Sequence, residues 1–266
     1  MPSMPSTDLE HGCYIGMFEN SGIRYLTTLP ARIVPWQGYS NMFMSCSNLT
    51  DTIPLSCDSI GSNGCNAMYA FCDKIKYPNS ISVKNAGVGA FISMFQNCTS
   101  LTKTAEIRDL NVASVSCFAR MYKDCVNLNE AHDMKFDEML ETSCAEMFKN
   151  CTTLTRAPRL LTVEVDEKAY NNMFEGCTNL SYIECAMVRD SSVFGDSWVN
   201  GVASSGTFVK NVLQTKYEYS NNSIPTGWNI VNKKFYDGTA KTDYLSFVTK
   251  STNATLSFIK DENQNP

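Results

Sequence analysis

The sequence predicts an α/β repeat protein, a solenoid in which each unit of about 26 residues forms one coil. Three observations predict this fold class. A Met-aromatic pair recurs seven times, a cysteine follows each Met by four residues from the second unit on, and a leucine or isoleucine follows it by seven. A period of about 20–29 residues with a Cys-x-x-Leu core is typical of leucine-rich repeats. We therefore expect a right-handed leucine-rich-repeat solenoid of seven units.

Three columns of residues define the repeat. The Met-aromatic pairs are Met17-Phe18, Met42-Phe43, Met68-Tyr69, Met94-Phe95, Met121-Tyr122, Met147-Phe148 and Met173-Phe174. The structural cysteine column is Cys46, Cys72, Cys98, Cys125, Cys151 and Cys177. The structural leucine column is Leu49, Ile75, Leu101, Leu128, Leu154 and Leu180. One unit cannot bury these apolar residues alone, so we expect stacked units, about 4.8 Å apart, to form a continuous interior.

Within each unit the sequence predicts a short helix ending near the Met-aromatic pair, then the buried cysteine, then a strand beginning at the Leu-Thr pair. Prolines are expected where these strands end, because a missing amide no longer breaks a ladder there. The prolines concerned are Pro30, Pro54, Pro78 and Pro158. The predicted solenoid covers residues 4–192. Its first unit diverges and has no polar cap, so we expect further residues upstream.

The end of the chain departs from the consensus. Residues 193–231 are predicted to be a C-terminal capping repeat, since Trp198, Phe208 and Trp228 could cover the open end of the stack. In this unit Val202 aligns with the repeated Met. Residues 232–266 alternate apolar and polar side chains around a turn, which predicts a small β-hairpin extension, around residues 244–259, or the start of a following module.

The cysteines permit three interpretations: free thiols, disulfides or a metal site. An in-register stack places the Cβ atoms of the cysteine column about 4.8 Å apart, wider than the 3.5–4.5 Å, roughly, that a disulfide requires. A zinc site is disfavoured because the sequence has no C-x-x-C pair and no histidine at ligand spacing. We expect buried free thiols that pack as small hydrophobes. Cys57 and Cys185 lie outside the columns and are the better candidates for a disulfide.

The composition argues against several classes of function. A net charge of -5 without a basic stripe disfavours nucleic acid as a partner. No run of about 18 uncharged apolar residues is present, so no transmembrane segment is predicted. The only histidines are His11 and His132, and no phosphate loop or nucleophile motif accompanies them. We expect a protein that is not an enzyme, with no catalytic residue, metal or cofactor, and with His132 on the surface.

The best-preserved units carry a family resemblance. The segments MFQNCTSLTKT, MFKNCTTLTRAP and MFEGCTNLSYI, followed by GTFVKN and IPTGW, resemble the BspA-like leucine-rich repeats found in surface proteins of gut bacteria and of phages that infect them. The resemblance covers residues 4–231. It implies an extracellular location, on a cell surface or a virion surface, and attachment to host proteins or other cells.

Two function classes follow. The first is a non-catalytic recognition or adhesion module that binds a protein or glycan on a host or neighbouring cell through its repeat surface. Its expected binding face consists of Thr50, Lys103, Asn129, Arg156 and Tyr182. The alternative is a structural or host-recognition component of a phage virion, a fibre or capsid-surface protein, in which the C-terminal hairpin mediates self-association.

Overall fold

The chain winds as a β-solenoid of about eight coils. The computed structural model describes Met4, residues 6–25 and residues 28–235. Successive coils stack in parallel at a constant offset, since Leu55 pairs with Ile81 and Ile81 pairs with Ile107, 26 residues further on each time. The predicted solenoid with a period of about 26 residues is therefore confirmed.

Ten strands in the described residues form three parallel sheets. The first sheet contains β1 (Ile33–Val34), β2 (Leu55–Ile60), β3 (Ile81–Ala86) and β4 (Ile107–Arg108). The second contains β5 (Val112–Ala113), β6 (Glu138–Met139) and β7 (Glu164–Val165). The third contains β8 (Tyr182–Cys185), β9 (Thr207–Asn211) and β10 (Asn229–Lys233).

The predicted position of the strands is wrong in the first two sheets. At the Leu-Thr pairs the coils are joined only by isolated bridges, such as those between Lys103 and Glu130 and between Arg156 and Tyr182. In the first two sheets the paired strands begin later in the coil, and Pro54 directly precedes β2 instead of following a strand. A proline is tolerated at that position because the ladder needs no amide from the residue before a strand. In the third sheet, β8 begins at Tyr182, directly after the Leu180-Ser181 pair, as predicted.

The predicted helices are absent from the described residues, where the only helix is a short 3-10 segment at Ser191–Phe194. Each predicted helix is replaced by a run of tight turns, which we call a turn ribbon. The turn ribbons cover residues 11–20, 36–45, 62–71, 88–97, 115–124, 141–150 and 167–176. The α/β description of the coil is thus corrected to strands and turns.

Hydrogen bonds explain why a turn ribbon is not a helix. The amide of Met42 donates to Tyr39 O within its own coil, at 3.2 Å, while the next amide, that of Phe43, donates to Met68 O of the following coil, at 2.9 Å. This alternation continues along every ribbon. Every fourth residue of a ribbon has a left-handed φ, for example 55° at Asn41 and 59° at Ser45. An α-helix would keep all its amide bonds inside one coil, at a separation of four residues.

The core lies between the turn ribbons and the sheets. The Met, cysteine and leucine columns are buried from the second unit on, and so is the aromatic column. Neighbouring rings of that column lie 5.4–5.7 Å apart between centroids and are nearly parallel from Phe18 to Phe174. Stacked aromatic pairs add about 0.5–1.5 kcal/mol each beyond the burial of their area.

At the C-terminal side, Trp198 and Trp228 are buried and donate their indole N–H groups to Ser223 O and Ala203 O, each at 2.7 Å. The alignment of Val202 with the repeated Met is wrong, because Phe174 N donates to Trp198 O as Phe148 N donates to Met173 O, so Trp198 occupies the Met position. Strand β10 ends at Lys233, so the stack runs two residues past the predicted cap. The predicted hairpin around residues 244–259 lies outside the described residues.

Candidate recognition surface

The residues predicted to form the binding face lie in two adjacent rows that follow the leucine column, which we call the post-leucine rows. The first row is Arg24, Thr50, Lys76, Thr102, Asn129, Thr155 and Ser181. The second row is Tyr25, Asp51, Tyr77, Lys103, Glu130, Arg156 and Tyr182. Backbone bonds fix this alignment, since Thr102 N donates to Lys76 O and Asn129 N donates to Thr102 O, each at 3.1 Å.

Two exposed tyrosines in the second row were missed by the sequence reasoning. Tyr25 is 81% exposed and Tyr77 is 68% exposed. They stand two coils apart, a distance of about 10 Å if each coil rises by about 4.8 Å. The signal that could have found them is their position, two residues after the leucine column and the same as that of Lys103, Arg156 and Tyr182.

Ion pairs order the middle of the surface. Lys103 Nζ lies 2.5 Å from Glu130 Oε1, and this bond holds the pKa of Glu130 below its ordinary value. In the same coil as Lys103, the Arg108 guanidinium pairs with Glu106 and likewise holds the pKa of that carboxyl below its ordinary value. These pairs are exposed, so their contribution to stability is small.

A second cluster lies where the rows reach the third sheet. The guanidinium carbon of Arg156 lies 3.8 Å from the centroid of the Tyr182 ring, a cation–π contact. The Tyr182 hydroxyl donates to Glu184 at 3.3 Å. Glu184 is buried, and Lys233 of β10 pairs with it at 2.7 Å across the sheet. A buried carboxylate is tolerated here because cations and a hydroxyl satisfy it.

Two shallow depressions of about 270 Å³ each open on the post-leucine rows. One is lined by Tyr25 and Arg24 and by residues 51–54. The other is lined by Tyr77, by Lys103 and by Arg108, among others. Because Tyr25 and Tyr77 occupy the same position in coils two apart, the surface repeats one arrangement, a tyrosine beside polar and charged side chains.

The cysteine column lies inside, away from this surface. All twelve cysteines are free, and all except Cys13 are buried. Cys57 and Cys185, the candidates for a disulfide, are also free and buried. Burial raises the pKa of Cys57 to about 11 and that of Cys185 to about 12. Since the thiolate is the reactive form, these thiols are inert at neutral pH.

His132 is half-buried and lies at the surface, beside the depression that contains Tyr77. Its Nδ1 lies 3.1 Å from Thr104 Oγ1, and its backbone amide donates to the same oxygen at 2.9 Å. Across the described residues, no three His, Cys, Asp or Glu side chains converge as metal ligands do. The same part of the chain contains no helix with the length and apolar character needed to cross a membrane.

The fold and the surface define a β-solenoid repeat protein with an exposed row of tyrosines and ion pairs. Residues 63–183 match the model of a family described as "Mycoplasma protein of unknown function, DUF285". The match begins in the third turn ribbon and ends in β8, so it covers the most regular coils. No curated protein and no solved structure matches the chain.

Proposed function

We propose that the protein is a non-catalytic recognition module that binds a protein or glycan partner through the post-leucine rows. In this proposal it acts outside the cell, on a cell or virion surface, as the resemblance to BspA-like leucine-rich repeats implies. The observation that carries the proposal is the pair of depressions with Tyr25 and Tyr77 at equivalent positions. Exposed aromatic side chains beside polar groups are typical of binding surfaces.

The surface chemistry supports this choice in two ways. Tyrosine provides a large contact area with few rotatable bonds, so little conformational entropy is lost on binding. The neighbouring Lys103–Glu130 pair and the Arg156 guanidinium over Tyr182 supply both charge signs at defined positions. A repeated arrangement two coils apart suits an extended partner with a repeat of its own, such as an oligosaccharide or an extended peptide.

The experiment compares the full chain with two double variants on a glycan array and on bacterial and host cells. Tyr25→Ser combined with Tyr77→Ser removes both exposed rings from the rows. Phe71→Ser combined with Leu213→Ser is the matched control, since these side chains are 46% and 73% exposed but lie outside the rows. We expect the tyrosine variant to lose at least about tenfold in affinity, as for residues central to an interface, and the control to bind normally.

Equal binding by both double variants would contradict the proposal. The phage-virion role remains an alternative, in which the C-terminal hairpin mediates assembly. Absence of binding by the unaltered chain, together with self-association that is lost when residues 236–266 are removed, would favour that alternative.

A further inference from the structure

A cavity of about 150 Å³ opens between two coils where the first sheet ends and the second begins. Ile107 pairs with the preceding coil at Ile81, whereas Val112 pairs with the following coil at Glu138. Before Val112, residues 105–110 have no strand pairing to residues 131–136 within the described part of the chain. The coils separate there, and the gap reaches the aromatic column.

The cavity has an apolar interior and a polar mouth. Its interior is lined by Ala105, Ile107, Phe118, Tyr122, Met134, Phe136, Met147 and Phe148. Its mouth carries Thr104, His132, Asp133 and Lys135, of which Asp133 and Lys135 are exposed. We call this cavity the ring pocket.

Side chains satisfy the backbone around the ring pocket. The amide of Ala105 donates to the Tyr122 hydroxyl at 3.0 Å, and the amide of His132 donates to Thr104 Oγ1 at 2.9 Å. Both amides lie where the coils have separated. With these amides satisfied, the apolar interior remains available to an apolar group.

The size and lining of the ring pocket define its ligand. A cavity of about 150 Å³ with apolar walls accommodates a molecule the size of benzene. The four lining rings favour an aromatic guest, and the thioethers of Met134 and Met147 make favourable contacts with ring edges. The charged and hydroxyl groups at the mouth suit the polar atoms to which such a ring is attached.

We propose that the ring pocket binds one benzene-sized aromatic ring, the side chain of a tyrosine or phenylalanine on a protein partner. This inference rests on the proposed recognition function and names the anchoring group of its partner. The depression beside Tyr77 shares Thr104 and His132 with the ring pocket, so a polypeptide anchored there also contacts the post-leucine rows. A buried aromatic side chain in a pocket is a frequent energetic centre of protein interfaces.

Two methionines make the pocket directly observable. In the full chain labelled with [13C]methyl-methionine, titration with p-cresol and with toluene is expected to shift the methyl signals of Met134 and Met147. The signal of Met42, which is buried two coils before the first lining residues, is expected to stay unchanged, and single Met→Leu variants assign the signals. Unchanged Met134 and Met147 signals at saturating probe would overturn the proposal.

Filling the pocket provides the second test. Ala105→Leu places new methyl groups in the cavity and is expected to abolish the p-cresol shifts while raising Tm. Ala157→Leu is the matched control, because Ala157 is as buried as Ala105, at 4% exposed against 3%, and does not line the pocket. It is expected to lower Tm and to leave the p-cresol shifts intact. Ile107→Phe is a second filling variant if Ala105→Leu does not fold.

The partner is tested on cells. Ala105→Leu is expected to weaken cell binding by about tenfold or more relative to the unaltered chain. Trypsin treatment, which removes proteins from the cell surface, is expected to abolish this difference in binding between the variant and the unaltered chain. Probe shifts without any effect of Ala105→Leu on cell binding would overturn the assignment to a protein partner in favour of a small aromatic molecule. The Tyr25 and Tyr77 variant separately tests the recognition function, so the two failures are distinguishable.

Discussion

Each cysteine of the cysteine column donates its thiol proton to the carbonyl oxygen of an aromatic residue in the preceding coil. The six sulfur–oxygen distances are 3.0–3.2 Å. The same carbonyl also accepts an amide bond within its own coil, as Tyr69 O does from Cys72 N. A carbonyl has two lone pairs, and the thiol uses the second one. The sequence indicates only that the repeated cysteine packs as a small hydrophobe. The structure shows that its thiol also donates a hydrogen bond to the preceding coil.

Replacing a column cysteine tests this bond. We expect Cys98→Ala to lower the free energy of unfolding by about 1 kcal/mol more than Cys65→Ala, because only the first loses a hydrogen bond as well as volume. Cys65 is equally buried, and its thiol has no hydrogen-bond partner in the described residues. Urea denaturation under reducing conditions measures both values. Equal losses would show that the thiol acts by packing alone.

The tyrosines of the aromatic column are a second residue-scale feature. Tyr69 and Tyr122 accept the amides of Ile53 and Ala105, each at 3.0 Å. We expect Tyr122→Phe to cost about 1–3 kcal/mol, since it leaves a buried amide without an acceptor. Tyr170→Phe is the control, because the Tyr170 hydroxyl contacts only the weak acceptor Met139 Sδ at 3.3 Å. Thermal unfolding compares the two, and a larger loss for Tyr170→Phe would contradict the argument.

At the scale of elements, the turn ribbon explains why the sequence predicted a helix. The buried residues Tyr39, Met42, Phe43 and Cys46 are spaced as i, i+3, i+4 and i+7. A helix with one apolar face shows the same spacing, and over eight residues a period of four cannot be separated from one of 3.6. The distinguishing signal is a residue that tolerates left-handed φ at every fourth position, as Gly12, Gly16 and Asn20 illustrate. Other ribbons place Phe71 or Arg120 there and hide it.

Substitutions at Phe71 distinguish a turn ribbon from a helix, because the two elements predict opposite orders of stability for the glycine and alanine variants. Phe71 is about half exposed and has a left-handed φ of 61°. In a turn ribbon, Phe71→Gly is expected to be more stable than Phe71→Ala by up to about 1 kcal/mol, because glycine adopts this conformation without strain. In a helix the order would be reversed by about the same amount. The denaturant midpoints of the two variants decide between them.

The candidate surface was predictable in position but not in shape. The period alone places Thr50, Lys103 and Arg156 after the leucine column, on one side of the solenoid. One step of the repeat, from Met94 to Met121, is 27 residues instead of 26. The sequence shows that a residue is added there. It does not show that the coils separate at residues 105–110, because that depends on which neighbouring coil each strand pairs with.

At the scale of the whole molecule, the stacking of coils places many cysteines in the same kind of buried environment. Ten buried thiols have a pKa raised by desolvation, to about 12 for Cys72 and Cys177. An unfolded thiol has a pKa of about 8.5. The folded state therefore keeps protons that the unfolded state releases at alkaline pH. The effect on stability adds up over the ten thiols.

This difference predicts a steep loss of stability at alkaline pH. Because the folded pKa values are raised, the stabilisation is fully present below about pH 8.5 and falls as the pH rises toward 12, by up to about 1.4 kcal/mol per pH unit for each thiol. Urea midpoints at about pH 7, 8.5 and 10 in the presence of a reductant are expected to decline with increasing slope. Cys98→Ala should decline less steeply, because it lacks one titrating group. Midpoints independent of pH above 8.5 would refute the buried, protonated thiol column.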